Sequence, residues 1–149
     1  MSTYRFRLET LLKIRAADRQ QKRLELAQAY QADGLLDQRA QQLTLEQETM
    51  RRAARVAAEP GVVNVDALVS AHRYELQLET QFAVLRQRGE QLQEEIERRR
   101  AALIEADQQV QILEKLRERQ KAAHQAGESK QELKELDEIA VRAAGRELK

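Results

Sequence analysis

Three features of the chain predict an all-α protein: two long helices folded into an antiparallel coiled-coil hairpin, with a C-terminal helical extension. The first is a run of apolar steps that alternate between four and three residues, through Leu78, Phe82, Leu85, Gly89, Leu92, Ile96, Arg99, Leu103, Ala106, Val110 and Leu113. Such steps average about 3.5 residues, which keeps the side chains on one narrow seam that only another helix can cover. The second is composition. Aromatic residues make up 3% of the chain and charged residues 34%, too few large apolar groups for a globular centre and the usual balance of long helices with a thin apolar stripe. The third is punctuation: the chain has a single proline, Pro60, followed at once by Gly61. One turn therefore divides one helix from another, and residues 1–149 form a single helical-hairpin domain.

Each element follows from local pattern. The first helix spans about 6–59, carrying Leu8, Leu11 and Leu12, an alanine-rich middle, and a seven-residue series of Ala29, Leu36, Leu43, Met50 and Ala57. Proline disfavours helical geometry in the residue before it and glycine supplies a turn, so Glu59, Pro60 and Gly61 end it. The loop covers 60–65, with Asn64 or Asp66 able to cap the second helix. That helix runs from about 66 to 126. Gly127 and Ser129, the latter three residues before Glu132 in capping-box spacing, predict a kink or a separate helical segment over about 130–147.

A short loop between long helices makes them antiparallel neighbours. With the turn near residues 62 and 63, facing positions should sum to about 125. That register sets Leu12 opposite Leu113, Leu43 opposite Phe82, and Leu8 opposite Arg117 with Leu116 beside it. It also sets Leu36 over Gly89, where a missing side chain would make room for a large one, and brings Glu25 near Arg99, the charged member of the seam. At about 1.5 Å per residue, the pairing implies a rod on the order of 75 Å long. Residues beyond about Arg117 have no counterpart in the first helix and must project, fold back or bind something else.

The chemistry a catalyst needs is missing. His72 and His124 fall at different levels of the hairpin, so they predict no shared metal site. Adjacent carboxylates such as Glu94 with Glu95 point in different directions from a helix and form no acid and base pair. There is no phosphate-binding glycine loop, no GxSxG and no HExxH. The expectation is a protein without catalytic residues, cofactor or metal. Cysteine is absent, which removes disulfides and fits a reducing compartment. Neither an apolar signal-peptide core nor a membrane span of about 20 apolar residues is present.

Charge placement says more than the net charge of +1. Arg5, Arg7, Lys13, Arg15, Arg19, Lys22 and Arg23 crowd the start, and Lys115, Arg117, Arg119 and Lys121 lie beside them in the expected register. The end of the hairpin away from the loop is thus basic, and Tyr4, Phe6, Leu8, Leu11 and Leu12 give it more apolar surface than one seam can bury. Apolar groups ringed by arginine form a docking tip. From Glu128 to Glu138 the sign reverses.

Three blocks then resemble a known family. Phe6-Arg7-Leu8-Glu9-Thr10-Leu11-Leu12-Lys13-Ile14-Arg15, Leu113-Glu114-Lys115-Leu116-Arg117-Glu118-Arg119 and Glu135-Leu136-Asp137-Glu138-Ile139-Ala140 look like the recurring blocks of the flagellar FliJ family, in matching order and spacing. The resemblance implies a soluble, non-enzymatic component of the flagellar type III export apparatus, similar in architecture to the gamma rotor of rotary ATPases. It implies three partners: the hexameric export ATPase, the cytoplasmic part of the membrane-embedded export gate protein, and export chaperones. The implied location is the cytoplasm, peripherally at the membrane face of the flagellar base. Joined to the residues, it assigns Phe6, Leu8, Leu11, Leu12, Arg15, Lys115, Leu116 and Arg119 to the ATPase, and Leu45, Leu68, His72 and Tyr74 to the gate. Two other readings stay open at this point. One is the stalk protein of a virulence-type secretion system or a generic structural coiled coil. The other is a nucleic-acid arm using Arg98, Arg99 and Arg100 for phosphate contact.

Overall fold

The structure is a computed structural model that describes residues 2–148. Two helices make up almost all of it: α1, Glu9–Ala57, and α2, Val65–Glu147. By packing, the chain divides into two compact units. Both are antiparallel pairings of α1 with α2.

The second unit, Lys22–Leu103, holds the turn. Here α1 ends where the residue before Pro60 cannot continue it, and the last carbonyls are closed by Ala58 N–H to Ala54 O at 3.1 Å and Glu59 N–H to Val56 O at 3.3 Å. Gly61 then takes φ of +116°, a left-handed conformation that an L side chain would strain. Asn64 N–H returns to Ala57 O at 3.1 Å, and the Asn64 side-chain oxygen accepts from Ala67 N–H at 3.1 Å. Asn64, rather than Asp66, is therefore the N-cap of α2.

Beyond the turn the register is that of the sequence pattern. Leu43, Leu78 and Ile96 are fully buried, Ala29 nearly so, and Leu36, Met50, Phe82, Leu85 and Leu92 are half-buried. Polar pairs across the helices run in the same register, with Arg39 on Gln81 (3.2 Å), Tyr74 on Glu46 (3.1 Å), Arg51 on Glu75 (3.5 Å) and Gln93 on Asp33 (3.1 Å). Arg99, the charge in the seam, is satisfied by the main-chain carbonyl of Glu25 and the carboxylate of Glu95, at 2.8 Å. The register brings Glu25 near Arg99 as expected, and the meeting includes the Glu25 main-chain carbonyl.

The expected fit of Leu36 into a gap left by Gly89 is not found. A Cβ built on Gly89 meets nothing within 4 Å, and the same is true of Gly34. Both glycines face space that a methyl group can enter, so neither is required by close approach.

The first unit joins Met1–Gln21 to Ile104–Lys149. Its core is Phe6, Leu12, Val110 and Leu113, with Tyr4 and Leu116 packed against it. Residues 2–6 are not helical. They lie as an extended arm along α2, so the stretch after Arg117 has a partner after all, formed by this arm rather than by helix. Tyr4 donates from its hydroxyl to Arg117 O (3.2 Å) and stacks at a tilt on His124, centroids 5.7 Å apart, while the Ser2 hydroxyl donates to Glu128 (3.0 Å). Among the described residues, every position of α2 from Ser129 on is exposed.

A second correction concerns Gly127. The predicted separate segment over 130–147 does not form: α2 continues as one helix through Gly127 to Glu147. One glycine costs a helix only about 1 kcal/mol, no proline follows to remove a hydrogen bond, and Ala, Glu, Lys and Leu on both sides favour helix.

Candidate partner-binding surface

The first unit carries the surface with the most unspent chemistry. Leu8 O accepts the first helical hydrogen bond of α1, from Leu12 N–H at 2.9 Å, which fixes the phase of the residues that follow. At about 100° per residue, Leu11 and Ile14 point well away from the buried Leu12, and Leu8 and Arg15 sit between seam and flank. On α2, Ile112, Lys115, Leu116 and Arg119 take the corresponding phase relative to Leu113. In an antiparallel pair these flanks face the same side. The opposite flank carries the Glu9 and Arg117 ion pair, at 3.6 Å.

Of the eight residues assigned to ATPase contact from sequence, the structure gathers all eight in this unit but divides their roles. Phe6 and Leu12 are core, each 6% exposed, and Leu116 is packed against them. Leu8, Leu11, Lys115 and Arg119 are exposed and Arg15 is half-exposed. Sequence reasoning missed Ile14 and Ile112, which are 59% and 66% exposed and complete the apolar part of the flank. Ile14 stood in the first family-like block, and a phase count from Leu12 would have found it.

Next to this flank the seam is polar. Arg19 reaches across to Asp107 at 3.1 Å, with both groups partly shielded, and its Nε is buried without a hydrogen-bond partner. An imperfectly satisfied guanidinium here costs stability relative to an apolar pair and favours one register over its slipped alternatives.

The four residues assigned to the export gate all belong to the second unit and do not form one patch. Leu68 and His72 line a shallow groove of about 220 Å³ with Met50, Arg51 and Glu75. Tyr74 lies on the other flank and is occupied by Glu46. That hydrogen bond, with partial burial, holds the Tyr74 phenol above its ordinary value of 10.0. Leu45 stands 63% exposed on the back of α1.

The arginine triplet is committed internally. Arg98 and Arg99 both pair with Glu95, at 2.7 and 2.8 Å, and Arg100 pairs with Glu97 at 3.0 Å while donating to the Tyr30 hydroxyl. Arg99 in particular holds the Glu95 carboxyl below the usual carboxylate value. Among the described residues no three His, Asp or Glu side chains are gathered as a metal site, and no helix is long and apolar enough to cross a membrane.

Comparison with known families decides between the readings left open by sequence. Residues 4–149 match the family described as Flagellar FliJ protein, and so both helices, the whole second unit and all but the first three residues of the first unit fall within the match. The chain belongs to the FliJ family. Comparison with curated proteins and with solved structures gave no match. Membership gives this FliJ chain a part in flagellar export, in a family whose members serve as non-enzymatic components. The three sequence blocks that resemble the family fall on the arm and start of α1, on α2 facing them, and on the exposed final stretch of α2.

Proposed function

We propose that this FliJ-family chain is a rotor-like stalk of the flagellar export apparatus, binding the hexameric export ATPase with its first unit and engaging the export gate protein with its second, to assist export of flagellar subunits and their chaperones. The observation that carries the ATPase assignment is the flank of the first unit. Leu8, Leu11, Ile14 and Ile112 expose apolar surface there beside Arg15, Lys115 and Arg119. An apolar centre with a cationic rim suits a protein surface of opposite charge, where the apolar contacts give affinity and the charges give orientation and rate of encounter. For the gate, Leu68 and His72 with Met50 form the better candidate, because they share a groove, and Tyr74 and Leu45 are secondary.

Reversing charge at Arg15 and Arg119 together tests the first assignment. The double variant should bind the purified ATPase at least about tenfold more weakly, equivalent to about 1.4 kcal/mol, with unchanged helicity by circular dichroism. Binding at wild-type strength removes the assignment of this flank. Leu68→Glu with His72→Glu is the matching test for the cytoplasmic part of the gate protein.

A further inference from the structure

Residues 129–148 are exposed throughout, although they carry a regular apolar stripe. Leu133, Leu136, Ala140 and Ala143 follow steps of three and four, with Ile139 at the stripe's edge. Leu133 and Leu136 are each 61% exposed. We infer that this last stretch of α2 pairs with the same stretch of a second copy of the chain, antiparallel, to form a dimer.

Two independent complementarities select a second copy and select the direction. The first is size. The large residues of the stripe, Leu133 and Leu136, come first and the small ones, Ala140 and Ala143, come last. Antiparallel pairing sets Leu133 against Ala143 and Leu136 against Ala140, so each leucine fills the space left by an alanine. Parallel pairing would stack leucine on leucine and leave alanine facing alanine, with a gap at one end. The second is charge. Glu132, Glu135, Asp137 and Glu138 outnumber Lys130 and Lys134 in the first half, whereas Arg142 and Arg146 outnumber Glu147 in the second, so the halves differ in sign. Glu132 and Arg146 flank the stripe on the same side, two turns either way from its middle, and face one another only between antiparallel copies. Neither has an ion-pair partner within 4.0 Å among the described residues, whereas Arg142 is already engaged by Glu138. A single like-charge meeting remains, Asp137 with Asp137 across the two-fold axis, at the solvated rim where salt screens it.

Because the chain has no cysteine, introduced thiols report the pairing without background. The full-length Leu133→Cys and Ala143→Cys variants, mixed and mildly oxidised, should give mainly the mixed disulfide. Predominance of Leu133→Cys with itself would mean parallel pairing and overturn the inference. Sedimentation equilibrium of the cysteine-free chain should show apparent mass rising toward twice the monomer with concentration. Leu136→Glu should weaken association at least about tenfold without loss of helicity in the rest of the chain, since the side chain is exposed in the monomer. Glu132→Arg and Arg146→Glu should each weaken it and the two together restore it. A chain that stays monomeric at every concentration, or a dimer indifferent to these changes, overturns the inference. The ATPase and gate tests above use other residues and read out separately.

Discussion

Gly34, Gly89 and Gly127 each occupy a helix interior with nothing within 4 Å of where a Cβ would stand. Alanine at any of them gains helix propensity without a clash. Each substitution should stabilise the chain by about 1 kcal/mol in urea unfolding, and a destabilising Gly89→Ala would mean that Leu36 does press on that site. Gly61 is the contrasting case, since its φ of +116° makes Gly61→Ala a source of strain. Leu43 is 0% exposed, so Leu43→Ala should cost about 2 to 5 kcal/mol as cavity and lost transfer energy combine. The Tyr74 phenol, raised above 10.0 by donating to Glu46, contributes stability that is present at neutral pH and is lost as pH climbs through its folded value. A phenolate absorbance titration should lose one late-ionising group in Tyr74→Phe. These environments were only partly legible in sequence. The register brings Leu36 and Gly89 to one level but does not reveal how near the side chain comes.

At the scale of elements, what could be read were the parts whose causes are local. The four-and-three stepping of α2 and the stop at Pro60 and Gly61 are each contained within a few residues and are present as expected, and of the two caps the sequence offered, Asn64 and Asp66, the structure uses Asn64. The arm at residues 2–6 was illegible because its extended form is imposed by contacts more than a hundred positions away, with Arg117, His124 and Glu128. The opposite error occurred at Gly127, where a local breaker signal had nothing to enforce it. The arm's attachment is expected to weaken in acid. Glu128 is held below the ordinary carboxylate value first by the Ser2 hydroxyl and then by His124, so its contribution is present above the unfolded value and lost as pH falls through the folded one. The Tyr4 ring resonances should shift toward those of a free tyrosine over that range. Tyr4→Ala should free the arm at neutral pH, and unchanged Ser2 and Thr3 amide shifts in that variant would show that Tyr4 is not what holds it.

For the molecule as a whole, family membership follows from a match over residues 4–149, and the hairpin pairing follows from pattern. The exposed flank proposed for partner binding lies in the region to which the charge pattern points, but its residues could not be named one by one, because composition locates charge while helical phase decides what faces outward. Phe6 and Leu12 turned inward, and Ile14 and Ile112 took the exposed places. The pairing through one turn also has a kinetic consequence. Tyr74 and Glu46 are separated by 28 residues, whereas Ser2 and Glu128 are separated by 126. The entropy of closing a loop grows with its length, and pairs already formed shorten the remaining closure. Assembly should therefore start beside Gly61 and zip outward. Substitutions such as Asn64→Ala will slow refolding, those at Tyr4 will chiefly speed unfolding, and amide exchange will be quickest where the zipper closes last.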